Sequence, residues 1–244
     1  IVTVKNDKLR EKGIKKLIGS GETDFSGSPR NRRTNISIGL NSFNGQIFSP
    51  NAIGSAGKML GRIDETTGYK KELVIKGDET IPEYGGGLCQ VSTTLYRGIL
   101  FAGLPVTQRR NHSYAVSYYD PQGLDATIYP PSVDLKFRND TPGHILIQTT
   151  TVGDKAYSNI YGTPAKRSVD LIGPYYYSYR SIPPPRVEYT KLLAPGEKKK
   201  LGDAHTGFNA SWYRRIIHDD PNKKDKIEHI FSNYQARPLY TLIG

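Results

Sequence analysis

The 244 residues include one cysteine, Cys89, and its surroundings are those a reactive thiol needs. It stands in the run Gly85-Gly86-Gly87-Leu88-Cys89-Gln90. Leu88, Val91, Leu95 and Ile99 recur at helical spacing, and Gly103 and Pro105 stop the pattern, so a helix over 88–102 carries the thiol in its first turn. There the thiol meets the positive end of the helix dipole and N–H groups without intrahelical partners, and both favour thiolate. The glycines admit a substrate close to the backbone and leave N–H groups, those of Gly86 and Gly87 among them, as oxyanion donors for acyl transfer. A thiolate nucleophile needs a base, and His112, at the start of a strand-like stretch over 112–119, is nearest in sequence. The alternative is a small buried hydrophobe at 89 and a hydrogen-bonded structural histidine at 112.

The partner that orients His112 is open at this level. If 120–123 (DPQG) makes a tight hairpin, Tyr119 faces Leu124 and His112 falls opposite roughly Pro131. Asp125 then lies on the order of 20 Å away at ~3.3 Å per residue, and Asp134 is the closer carboxylate. Asp125 requires the strand to bend or the hairpin to be absent. A backbone carbonyl could serve instead, and Asp120 is the first residue of the turn. His144 sits in a strand-like run as a structural residue, while His205, His218 and His229 have no metal-like spacing. No metal and no cofactor is expected.

The elements that must hold these groups read as follows. Residues 1–4 (IVTV) are strand-like, 8–18 form a short helix, 19–35 a Gly-, Ser- and Asn-rich loop, and 35–43 a second helix behind Thr34. Strands follow at 71–76, 112–119, 124–130, 133–139 and 144–152. The Tyr- and Pro-rich stretch GPYYYSYRSIPPP (173–185) reads as a linker or an edge segment, with the linker set at 166–181, and 182–244 reads as a small β module broken by PG and DDPN turns. The expected fold class is α+β: a domain over 1–165 with a Cys-bearing helix packed on an antiparallel sheet, a linker at 166–181, and a small all-β module at 182–244.

Composition removes several functions. One cysteine excludes a disulfide framework and a Cys-rich zinc site. No segment approaches the ~18 apolar residues of a membrane span. The abrupt start at Ile1 suggests a membrane anchor upstream. The 34 basic and 23 acidic residues give a net charge of +11, spread along the chain with no basic helix and no recognition motif. The expected polyanion is therefore a cell wall or membrane surface rather than nucleic acid.

The block EYGGGLCQVSTTLYRGILFAGL, with NHS at 111–113, GLDAT at 123–127 and DLKFRN at 134–139, resembles the VanW domain family. TDFSGS (23–28), NRRTNI (31–36), the NG at 44–45 and GYKKELVIKGD (68–78) carry the likeness upstream, so that it runs from about Lys8 to Thr150. The chain departs from the family's GExFSFN stretch, where QIFSPNAIGSAG (46–57) stands. PPPRVEY, APGEKK and the final PLYTLIG resemble the G-five module often fused to VanW domains, with its GxDG-like turn blurred to GDAHTG.

The resemblance implies a peptidoglycan L,D-transpeptidase at a Gram-positive cell wall or the outer face of the cytoplasmic membrane. Its substrates would be a tetrapeptide stem as donor and the amine of a neighbouring stem as acceptor. Cys89 and His112 would be catalytic with Asp125 or Asp134 as third member, and Gly86, Gly87, Gln90, Arg32 and Asn111 would form the oxyanion and substrate-binding set. Arg32, at the family's NR position, offers a bidentate hold on a substrate carboxylate or else a surface salt bridge. Gln90 is an oxyanion donor or a helix cap. The other readings are a non-catalytic wall-binding or glycopeptide-resistance accessory protein and a thiol peptidase or carboxypeptidase on wall peptides.

Overall fold

The computed structural model describes residues 4–76, 79–164 and 166–244. Helix α1 (Asp7–Glu11), capped by Asn6, precedes strand β1 (Lys16–Asp24) and helix α2 (Arg30–Phe43). Short strands β2 (Ile47–Phe48) and β3 (Ile53–Ser55), helix α3 (Ala56–Leu60) and the hairpin of β4 (Lys71–Lys76) and β5 (Glu79–Tyr84) lead to helix α4 (Leu88–Phe101). Then come β6 (Val106–Gln108), β7 (Lys136–Arg138), β8 (Ile145–Val152) and β9 (Lys155–Gly162). The tail holds β10 (Arg167–Arg180), β11 (Arg186–Tyr189), β12 (Lys198–Gly202), β13 (Gly207–His218), β14 (Lys226–Tyr234) and β15 (Tyr240–Ile243).

The fold is α+β, with an all-β tail. Helix α4 lies on an antiparallel sheet ordered β1-β9-β8-β2. Leu88, Val91, Leu95 and Ile99, the periodic positions, are all buried against that sheet and α2. How closely the helix lies on the sheet is set by missing side chains. A Cβ on Gly21 would overlap the Thr94 carbonyl oxygen and the Gly98 nitrogen, and one on Gly19 the Ala102 nitrogen. On the helix side, a Cβ on Gly98 would stand 2.7 Å from the Ser158 carbonyl oxygen. These glycines serve close approach, not turns, so the Gly- and Ser-rich run expected as a loop over 19–35 is instead the end of β1, a short turn and the first half of α2. Gly21→Ala meets unyielding backbone, and we expect it to cost ~3 kcal/mol. Thermal unfolding should show that as a midpoint lowered by roughly 10 °C at 2–4 °C per kcal/mol.

Other expectations are corrected. The helix expected over 8–18 ends at Glu11, because Ile14 turns into the core and β1 begins at Lys16. Helix α2 starts at Arg30 rather than 35: its first buried apolar residue is Ile36, so its first turn and a half shows no apolar period. Residues 112–119 and 124–130 are not strands. Residues 109–135 form an irregular run with one 3-10 turn at Ser117–Tyr119, and of 133–139 only Lys136–Arg138 is extended. Of the two readings of the Tyr- and Pro-rich stretch, the edge segment agrees with the structure and the linker over 166–181 does not: that stretch is β10, an edge strand that tolerates Pro174 because its outer side needs no partner. Residues 1–3 of the strand-like IVTV, residues 77 and 78 of the 68–78 match, and position 165 lie outside the described residues.

The tail builds two three-stranded sheets, β10-β13-β14 and β11-β15-β12, the second with β11 and β15 parallel. The first is fastened to the Cys-bearing helix. Trp212 joins the main core, and its indole N–H donates to Gln122 O at 2.8 Å. Arg214, 1% exposed, donates to Leu100 O and Leu104 O, placing a cation at the negative end of α4, and pairs with Glu228.

Candidate active site

The start of α4 is built from backbone that only glycine adopts comfortably. Gly87, the N-cap, has φ +111°, and a Cβ there would lie 3.0 Å from Arg32 Cγ. Leu88 N–H donates to Gly85 O and Gln90 N–H to Gly87 O, which leaves the Cys89 N–H without an acceptor among the described residues. It is the donor nearest the thiol for an oxyanion. Cys89 lines a groove of about 620 Å³, half-buried, with its sulfur 3.7 Å from Ile128 O and under the influence of the neighbouring His112 ring. One wall of that groove is the β4–β5 hairpin, through Leu73, Val74 and Pro82, and another carries Tyr118, Tyr119 and Ile128.

His112 is fixed on every side although its segment has no regular structure. Its own N–H donates to Asp125 Oδ2 at 2.7 Å, and its Nδ1 lies 2.5 Å from the same oxygen. The Tyr119 ring stacks on the imidazole at 4.7 Å between centroids. With Nδ1 held by Asp125, Nε2 is the nitrogen left for the thiol. Asp125 is buried and accepts two further bonds, from Arg109 Nη2 at 3.2 Å and from the Tyr234 hydroxyl at 2.5 Å. Arg109 also donates to Gly123 O, Asp125 O, Phe231 O and Ser232 Oγ, tying the site segment to β14.

Electrostatics follow from this packing. Burial alone pushes the Cys89 thiol up, but the charge and hydrogen bond of His112 outweigh it, and the thiol lies below its ordinary 9.0. Burial likewise pulls His112 down, and the Cys89 thiolate and the bond to Asp125 overcome it, raising the imidazole to about 10. Burial favours a neutral Asp125, yet His112, Arg109 and Tyr234 hold its carboxyl well below the usual range. Cys89 and His112 are therefore biased towards thiolate and imidazolium and titrate as one unit. The lowered thiol pKa keeps the nucleophile present down to that value, and the raised imidazole pKa keeps the acid present up to about 10. Alkylation of Cys89 by iodoacetamide should level off at a lower pH than that of an ordinary thiol, which gains about tenfold per pH unit below its pKa. His112→Ala should move the profile back to higher pH; an unchanged profile in that variant would show that His112 does not favour the thiolate.

The other residues of the expected set fall elsewhere. Asp134 does not reach His112: it accepts from Ser55 Oγ at 2.6 Å and Gly57 N at 2.8 Å, and so secures the start of α3. Gln90 is fully buried and its Nε2 is spent on Asp24 O and Thr23 Oγ1, so its side chain ties α4 to β1 rather than facing an oxyanion. Asn111 donates to His112 O and Asn233 O, shaping the His112 segment from below. Gly86 accepts from Asn35 and lies against Glu72, with Cβ space for neither a side chain nor a substrate. Arg32 lines the groove, 8% exposed, and is no surface salt bridge. Arg109, Tyr119 and Tyr234 were not singled out by the sequence. Arg109, two residues before Asn111 in a basic doublet, could have been; Tyr234 comes from a strand 109 residues beyond Asp125 and carries no local signal. Among the described residues no group of three or more His, Cys, Asp and Glu is placed to hold a metal ion.

The family model described as VanW like protein matches residues 31–161, which include Cys89, His112 and Asp125. The chain is 32% identical over 146 residues to the uncharacterised protein YoaR of Bacillus subtilis, covering 60% of this chain and 48% of YoaR. It is 29% identical over 136 residues to the vancomycin B-type resistance protein VanW of Enterococcus faecalis, covering 54% of this chain and 49% of that protein. The chain thus spans about half the length of these curated relatives. With more than half of its residues matched by the family model, and the thiol, imidazole and carboxylate inside the matched region, the chain belongs to the VanW-like family.

Proposed function

We propose that this protein is a cysteine-dependent acyltransferase, a peptidoglycan L,D-transpeptidase that makes 3→3 cross-links between stem peptides. The observation that carries this reading is the Cys89–His112–Asp125 set in the floor of an open groove, with the Cys89 N–H free beside the thiol. The Cys89 thiolate attacks the carbonyl carbon of the third stem residue, and the Cys89 N–H receives the oxyanion. The His112 imidazolium gives its proton to the departing nitrogen, the peptide bond breaks, and a free D-alanine leaves behind a thioester. Neutral His112 then takes a proton from the amine of a neighbouring stem, the amine attacks the thioester, and thiolate and imidazolium are restored. No ATP is needed, because the energy of one amide passes through the thioester to the next. Asp125 keeps the imidazole in the orientation both proton transfers require.

This function places the protein outside the cytoplasm, at the wall, where its +11 charge faces an anionic surface. The likeness of 182–244 to a G-five module fits a wall-facing tail. Incubating the purified protein with disaccharide-tetrapeptide and following intact-protein mass and muropeptide products tests the reading. A Cys89 adduct with loss of D-alanine, followed by 3→3 dimers, is expected. Release of cleaved tripeptide monomers alone makes it a carboxypeptidase, and neither adduct nor product leaves a non-catalytic wall protein.

A further inference from the structure

The acyl-enzyme reading leaves one buried charge unused. Arg32, on the first turn of α2, is more than nine-tenths buried, yet among the described residues no carboxylate lies within ion-pair distance of it. Its contacts are neutral: Nη1 donates to Ser28 Oγ at 2.7 Å, the guanidinium lies over the Tyr118 ring at 4.1 Å from its centroid, and its charge acts on the neighbouring Tyr119 hydroxyl. A buried guanidinium without an acid is costly unless something else supplies the negative charge. Arg32 lines the same groove as Cys89, so that charge can come from what enters the groove.

Its position fixes which carboxylate fits. The Arg32 stem packs against Gly87, two residues before Cys89, and its guanidinium shares the groove with Tyr119, on whose hydroxyl its charge acts and whose ring stacks on His112. The guanidinium is therefore one aromatic ring away from the group that protonates the leaving nitrogen. In an amino acid leaving group the α-carboxylate is joined to that nitrogen through a single carbon. We propose that Arg32, backed by Tyr118 and Tyr119, is the subsite for the free α-carboxylate of the single residue that departs. The site then selects donors that end one residue past the scissile bond and rejects capped or extended chains. This rests on the acyl-transfer reading for the location of the scissile bond, but the subsite itself is a matter of binding.

Binding to the Cys89→Ala protein tests it without chemistry. A tetrapeptide stem ending in free D-alanine is compared by calorimetry with the same stem ending in D-alaninamide and with the stem extended by one further D-alanine. The free acid should bind about 10²-fold more tightly than the amide, in keeping with loss of one partner of a buried, hydrogen-bonded charge pair. Adding Arg32→Gln should abolish the preference, and Arg32→Lys should keep part of it, since lysine holds the charge but not the two-pronged geometry. Equal affinity for acid and amide, a preference that survives Arg32→Gln, or no binding of either stem overturns the assignment. The acid-versus-amide comparison needs no Arg32 variant to fold. If the preference holds while the wild-type protein forms no acyl adduct, the subsite stands and the transpeptidase reading fails. If adducts form equally from acid and amide, the reverse is true.

Discussion

Cys89→Ala should lower cross-link formation by about 10⁶-fold, the scale on which removal of a covalent nucleophile is felt in hydrolases that work through one. Cys89 is the single thiol of the chain, so no neighbour can take over the attack. Its replacement costs little in stability, because the side chain is half-buried and its sulfur makes one weak bond to Ile128 O. The loss is therefore chemical, and the folded variant can be compared directly with wild type by muropeptide analysis. Cys89→Ser should be nearly as inactive, since a serine hydroxyl is far less acidic than a thiol and is not ionised by the imidazole in the resting site. An accompanying sign is readable by NMR. The Cys89 charge is the first of the influences that raise His112, so the imidazole pKa should fall in the alanine variant. Dimer formation at the wild-type rate in Cys89→Ala would refute the mechanism.

The second large effect is expected at Asp125. Asp125→Asn keeps the size of the side chain but removes the charge that four donors share: the His112 backbone N–H and Nδ1, Arg109 and Tyr234. The imidazolium loses its stabilising partner, and the amide can present a donor to Nδ1 and favour the wrong tautomer. A fall in kcat of about 10²–10⁴ follows. Stability falls as well, because Arg109, 9% exposed in its side chain, keeps its charge without an acid; about 3–5 kcal/mol is the scale for breaking such a buried pair. Denaturant unfolding measures that term separately from turnover. Asp134→Asn is the sharp comparison. It should loosen the start of α3, where Asp134 accepts from Ser55 and Gly57, and leave Cys89 alkylation at its wild-type rate. If Asp134→Asn slowed alkylation and Asp125→Asn did not, the orienting acid would be misassigned.

Much of this centre is legible in the sequence because it depends on local patterns. The thiol, the glycine approach and the helix that bears them follow from a period of 3.6 and a glycine-proline stop, and α4 runs over the expected residues to within one. The choice between Asp125 and Asp134 is not local. Regular hairpin geometry over 112–131 puts Asp125 far from His112, and that geometry fails because 109–135 is shaped by side-chain anchors rather than by a ladder. Arg109 grips the carbonyls of Gly123 and Asp125, and Arg97 those of Leu124 and Tyr119. A buried arginine that gathers carbonyls leaves no periodic mark. Strand β1 was hidden for the opposite reason: glycines read as punctuation, yet Gly19 and Gly21 are there because α4 leaves no room for a Cβ. Strand β10 is half legible: Pro174 and its tyrosines allow an edge segment as well as a linker, and only pairing with β13 fixes a strand from Arg167 to Arg180.

The Tyr234–Asp125 bond has a temporal meaning. Synthesis delivers nucleophile, base and acid early, all within the family-matched stretch, and delivers the hydroxyl that clamps the acid 109 residues later. Until β14 pairs with β13 and closes over the site segment, Arg109 has no Phe231 or Ser232 to grip, and the acid has one donor fewer. A protein clipped before β14 should keep Cys89, His112 and Asp125, yet hold the acid with one donor fewer and its segment without the anchors at Phe231 and Ser232.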